Sequence, residues 1–143
     1  MKITLSLLLL TTFSMLFCGC TNAQEKAPQA VQEAFEKKYP GENDPDWHKD
    51  SHGNFESNFK IDGKKYRADF SPNGNWIETE LSIKKGDLPN AVRKTIATHY
   101  EELEISEIEE VDHHRKGRFY DVEFKQKGKN KDVEINTEGK VIN

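Results

Sequence analysis

His48, Asp50 and His52 alternate within five residues, and these are the side chains in the chain best suited to metal chemistry. Two imidazoles and a carboxylate ligate Zn²⁺ or Cu²⁺. On a strand, alternate positions share one side, which would gather the three donors. Against this, Ser51-His52-Gly53-Asn54 reads as a turn and no fourth ligand is in view. The three residues therefore read as a solvated strand end, and no metal or other cofactor is assigned. His113 and His114 are adjacent, so on a strand they would point to opposite faces. Asp44, Asp46, Asp50 and Asn54 lack the spacing and terminal bidentate Glu of a Ca²⁺ loop.

Nucleophilic chemistry has less support. Ser51, Ser57, Ser71, Ser82 and Ser106 sit in no Gly-x-Ser-x-Gly elbow, and no Gly-rich phosphate loop is present. Both cysteines, Cys18 and Cys20, fall in the first 20 residues. Glu101-Glu102 and Glu109-Glu110 read as solvated faces. Lys125, Lys127, Lys129 and Lys131 read as the coat of exposed strands, where lysine discourages edge pairing. No catalytic residue is assigned, and the chain is expected not to be an enzyme.

Composition narrows the classes further. The 143 residues carry 21 Lys and Arg against 25 Asp and Glu, a net charge of −4. That balance argues against a nucleic-acid binder. A hydrophobic fraction of 34 % excludes a multi-span membrane protein. The N-terminus reads as a leader: Met1-Lys2 supplies positive charge and Ile3 to Phe17 an apolar run. Leu16-Phe17-Cys18-Gly19-Cys20 resembles a lipobox with Cys20 as the acylated residue. Cleavage after Ala23 is the other exit, giving a signal peptide over 1–23 and a mature region over 24–143. Either way the chain is expected outside the cytoplasm, in the periplasm or cell envelope, touching a membrane only through a lipid on Cys20.

The mature region divides into two similar halves. At an offset of 61, Pro28, Val31, Phe35 and Tyr39 match Pro89, Val92, Ile96 and Tyr100. At an offset of 65, Phe55, Phe59, Gly63, Phe70, Gly74 and Ile77 match Tyr120, Phe124, Gly128, Ile135, Gly139 and Ile142. A period of this length suits a duplicated half-domain, with repeats over about 27–85 and 86–143.

Each half opens with a helix, because Val31, Phe35, Tyr39 and Val92, Ile96, Tyr100 recur every fourth residue as one apolar stripe. Strands follow by alternation: Phe55, Ser57, Phe59, Ile61; Tyr66, Ala68, Phe70; Tyr120, Val122, Phe124; Val133, Ile135. Asp62-Gly63 and Asn73-Gly74 supply hairpin turns. Segments near Trp47 and Ile108 open the strand sets, and Trp76 to Ile83 closes the first. The expected fold is α+β: a helix plus four antiparallel strands, twice, in one continuous sheet. A half of this size buries little apolar surface alone, so the halves must share a core. Both helices are expected on one face, leaving the other open to solvent or a partner.

The Pro-x-x-Val helix starts, Tyr39-Pro40, Trp47, Asp62-Gly63-Lys64-Lys65-Tyr66 and Asn73-Gly74-Asn75-Trp76 together resemble the PepSY-like family of small exported bacterial proteins. The second half carries Lys131 and Val141 at the positions of Tyr66 and Trp76. The resemblance implies a fold like that of the beta-lactamase inhibitor protein. The expected function is a monomeric protein- or peptide-binding module of the envelope, in one form inhibitory. The alternative is a metal or small-ligand carrier using His48 to His52. Trp76, Tyr66 and Trp47 are the candidate interface anchors, since Trp and Tyr dominate interface energetics. Strand parity sets Ile77, Thr79, Leu81 and Ile83 toward the core and Trp76 opposite them. A position covering the core's margin competes with the anchor role for Trp76.

Overall fold

A computed structural model describes residues 26–42 and 44–143. The leader with Cys18, Cys20 and Ala23 lies outside the described residues. Helix α1 (Gln29–Lys38) is followed by β1 (Asp46–Lys49), β2 (Phe55–Ile61), β3 (Lys64–Phe70) and β4 (Trp76–Ser82). A 3-10 turn at Lys85–Asp87 leads into α2 (Asn90–His99), β5 (Ile105–His113), β6 (Gly117–Phe124) and β7 (Lys131–Asn136). The fold is α+β, with one antiparallel sheet of seven strands lying in sequence order from β1 to β7.

Each helix starts where a proline ends the extended chain. Pro28 and Pro89 cap them at φ −56° and lack the N–H that a first turn would leave unpaired. Each helix closes alike, with the Tyr39 N–H donating to the Phe35 carbonyl and the Tyr100 N–H to the Ile96 carbonyl. Lys37, Lys38 and His99 lie in the last turns, where cations complement the helix dipole.

Partners in adjacent strands share a face, so the register sorts every strand residue. One row runs Trp47, Ser57, Ala68, Thr79, Asp112, Arg118, and another Tyr66, Leu81, Glu110, Tyr120, Ile135. Two apolar clusters stand on this face. Val31 and Phe35 pack with Trp47, Phe55, Phe59, Ala68 and Phe70. Val92 and Ile96 pack with Ile108, Tyr120, Val122, Phe124, Val133 and Ile135. Phe35 anchors the first cluster, edge-on to Trp47 and Phe59 at 5.4 and 5.0 Å between ring centres.

The turns after β3 and β7 correspond bond for bond. Ser71 and Asn75 exchange the bonds that Asn136 and Lys140 exchange, and the Gly74 and Gly139 amides donate to the Ser71 and Asn136 carbonyls. Both glycines adopt positive φ, +83° and +85°. A Cβ on Gly74 would lie 2.5 Å from the Ala30 carbonyl oxygen, and one on Gly139 2.7 Å from that of Ala91. Each turn is thus pressed against the first turn of a helix, where only glycine fits.

Three expectations are corrected. Among the described residues the sheet has seven strands, not eight: the last reduces to a single bridge between Ile135 and Val141. The Asn143 side chain accepts from the Glu134 N–H and donates to the Asp132 carbonyl, taking bonds that an eighth strand's backbone would make. Trp76 does not lie opposite the core-facing residues. The pairing shifts so that Phe70 faces Trp76 while Asp69 faces Glu78. This β-bulge turns the indole onto the core-bearing face, where it packs against the first cluster. His113 and His114 do not diverge either: β5 ends at His113, and the rings stack 4.7 Å apart.

Candidate functional site

The face opposite the two apolar clusters carries a ladder of carboxylates. Its residues alternate with the core-facing ones, so acids two apart point the same way. Glu78 and Glu80 lie on β4, Glu107 and Glu109 on β5, Asp121 and Glu123 on β6, Asp132 and Glu134 on β7. The register aligns them: Glu109 faces Asp121, which faces Glu134, while Glu107 faces Glu123, which faces Asp132. Val111 and Phe119 interrupt the ladder between Glu80 and Asn136. Both are nearly fully buried, and Lys116 Nζ stands 5.1 Å from the Phe119 ring centre.

Arg67 lies at the centre, paired in register with Glu80. Its Nη2 makes an ion contact with Glu80 Oε2. Arg67 Nε, Asp69 Oδ1 and Asp121 Oδ1 are shielded from solvent without a hydrogen bond. Arg67, Glu107, Glu109, Asp121, Glu123 and Asp132 line a groove of about 240 Å³. Glu80 is only 6 % exposed and faces into this cluster.

Crowding like charges in a half-dry site raises the cost of ionisation. Burial pushes the Asp69 carboxyl up to about 7, with Arg67 opposing and Glu78 and Glu56 reinforcing. Burial takes Asp121 up to about 6, reinforced by Asp132 and Glu134. Glu80 is raised by burial and by Glu109 against the pull of Arg67, and Glu109 is raised by burial as well. Burial works against the Arg67 charge, but Glu80 outweighs it and holds the guanidinium protonated. Arg67 therefore supplies too little positive charge for the acids around it. The excess of acids over basic groups makes this face attractive to cations.

Asp69, Glu78 and Glu80 offer oxygens within 4.8 Å of one another. Such hard donors suit Ca²⁺ or Mg²⁺ more than Zn²⁺. The remaining acids of the ladder lie on three strands, β5 to β7, and among the described residues they form no further group of three with oxygens that close.

The residues singled out from the sequence lie elsewhere. β1 ends at Lys49, so His48, Asp50 and His52 do not share a strand. Asp50 Oδ1 accepts the His52 and Asn54 N–H groups and Oδ2 accepts from the Asn54 amide. Those bonds outweigh the cost of burial and lower its pKa. Asp50 is thus engaged in closing the turn. His48 Nε2 stands 3.2 Å from Asp46 Oδ2, and the His52 ring 3.7 Å from Asp50. Trp47 is buried in the first cluster. Tyr66 and Trp76 are half-buried against it on the same face, and Lys38 Nζ lies 3.6 Å over the Trp76 ring. The Trp76 Nε1–H donates to Thr79 Oγ1 at 3.0 Å, and the Tyr39 hydroxyl also bonds Thr79. Burial drives the Tyr39 hydroxyl up to about 12.

Sequence reasoning missed the acidic ladder by weighing Glu109-Glu110 as adjacent residues. The available signal was acids two apart in four successive strand segments, each on the parity opposite the apolar positions.

One antiparallel sheet with two helices and a charged groove across its strands defines a small α+β module. The chain belongs to the PepSY-like family: the family described as "Putative beta-lactamase-inhibitor-like, PepSY-like" matches residues 53–143. Solved structures share the fold. A DUF2874 family protein from Bacteroides uniformis has a TM-score of 0.74 at 20 % identity, over 82 % of this chain and 88 % of its own. A BLIP-like protein from Bacteroides fragilis has a TM-score of 0.72 at 22 % identity, over 85 % and 86 %. A chain from Bacteroides eggerthii described as "putative periplasmic" has a TM-score of 0.74 at 19 % identity, over 83 % and 88 %. No curated protein matches the sequence. Among the described residues, no helix is long and apolar enough to cross a membrane.

Proposed function

We propose that this chain is an exported, non-enzymatic, monomeric binding module of the periplasm or cell envelope, held at a membrane by a lipid on Cys20. It docks a protein or peptide on the sheet face that carries the acidic ladder. The observation that carries this reading is the register. Every strand residue of both apolar clusters falls on one face, and α1 and α2 contribute only to those clusters. In this reading both helices stand on that side and the acidic side is left for a partner. The matched glycine turns and helix ends support a tandem of two like units. The leader supports export, and so does the fold shared with a chain described as periplasmic.

Binding in place of catalysis is supported by the shape of the groove. It is spread over several strands and built of carboxylates around one guanidinium. An inhibitory role would be one form of such docking; the fold shared with a BLIP-like protein bears on shape alone. Trp76, Tyr66 and Trp47 stand on the helix-bearing face, so in this reading they stabilise the first half and leave recognition to charge. The carrier alternative loses support because Asp50 is engaged by its turn. Chemical crosslinking in the native envelope tests the proposal. The wild-type chain should yield a discrete adduct that E107Q/E123Q loses while remaining folded. A wild-type chain with no adduct, or a variant with the same adduct, would refute it.

A further inference from the structure

We propose that the acidic face receives an extended protein segment with lysine or arginine at alternate positions, laid along β5 and β6. This rests on the docking role proposed above and names the chemistry of the partner. Charge complementarity is the first argument. Glu107, Glu109, Asp121, Glu123 and Asp132 surround a groove in which Arg67 is the lining cation. Lys116, over the Phe119 ring, is committed to Glu134 at 2.6 and 2.7 Å.

The second argument is burial. Asp69 Oδ1 and Asp121 Oδ1 are shielded from solvent without a hydrogen bond, whereas Glu80, 6 % exposed, already holds the Arg67 guanidinium against its Oε2. Desolvated acceptors without donors are costly, and charged donors are the groups that relieve them best.

Spacing selects the form of the cation. Acids two apart on one strand stand about 6.7 Å from each other, and neighbouring strands about 4.8 Å. Among the described residues only Asp69, Glu78 and Glu80 bring three acidic oxygens within 4.8 Å, so one ion does not engage the acids of β5 to β7 together. Alternate side chains of an extended peptide repeat at the same interval of about 6.7 Å, so its ammonium or guanidinium groups meet the carboxylates in register. Arg67 lines the same groove, but its guanidinium is turned to Glu80, which takes up its charge.

The test is a titration of the mature chain with an alternating Lys-Thr peptide in about 0.15 M salt. An alternating Glu-Thr peptide serves as the opposite-sign control. Saturable binding of the first alone is expected, weakening as salt rises. E107Q/E109Q/D121N/E123Q should weaken it at least about tenfold, whereas E33Q/E36Q/E101Q/E102Q, with the same change in net charge, should alter it less than about twofold. Amide shifts of the wild-type chain should concentrate on β5 and β6, which removes any dependence on how the variants fold. Equal loss in both variants, binding of the Glu-Thr peptide, shifts confined to the helices, or no saturable binding would each overturn the inference. Failure here alongside a face-dependent adduct in the envelope would leave docking standing and remove only the basic segment.

Discussion

Replacing Asp69 by Asn should stabilise the protein at alkaline pH. Asp69 Oδ1 is shielded from solvent without a hydrogen bond, and burial raises its carboxyl to about 7 from an ordinary 3.8. A raised carboxyl pKa means the folded state binds the proton more tightly than the unfolded chain does. Its contribution to stability is therefore complete below about pH 4 and is lost as pH rises through about 7. The full shift corresponds to roughly 4 kcal/mol at about 1.4 kcal/mol per pKa unit. Partial exposure and screening reduce this to about 1–2 kcal/mol. Asn carries no charge to desolvate and supplies its own donor. Urea unfolding at pH 5 and pH 8 measures the difference. D69N should exceed wild type by about 1–2 kcal/mol at the higher pH and fall within about 0.5 kcal/mol of it at the lower. A variant less stable than wild type at pH 8 would show that Asp69 is ionised and held by Arg67, and the reasoning from desolvation would be wrong.

Other outcomes follow from the same contacts. G74A and G139A should each cost more than about 2 kcal/mol in chemical denaturation, because a Cβ meets a helix carbonyl and positive φ is strained; a loss from one alone would break the equivalence of the two turns. T79V should cost about 1–3 kcal/mol by thermal unfolding, since the Trp76 N–H and Tyr39 hydroxyl lose their shared partner. D50A should destabilise by about 1–2 kcal/mol through loss of its turn bonds, while H52A should change little. Calorimetry with Zn²⁺ should show no stoichiometric site, and binding that H48A or H52A abolishes would restore the carrier role.

The helices and hairpins were legible because their signals are local. Val31, Phe35 and Val92, Ile96 repeat at helical spacing, and Asn73-Gly74 has a mate in Glu138-Gly139. Trp76 was misplaced because parity assumes an unbroken strand, and the bulge beside Phe70 adds a residue that no local signal marks. The missing eighth strand turned on the Asn143 side chain competing for bonds to β7, which strand propensity does not register. The acidic site was hidden for a physical reason. Each carboxylate alone looks solvated, and only the register of four strands crowds them enough to desolvate Glu80 and raise Asp69.

Photocrosslinking from defined positions in the intact envelope is the most direct measurement. With the photoreactive residue at Glu123, on the acidic face, a discrete protein adduct should form, and with it at Glu36, on α1, none should form. An adduct from Glu36 and none from Glu123 would mean that the partner approaches from the helix side and that the ladder is not the docking surface.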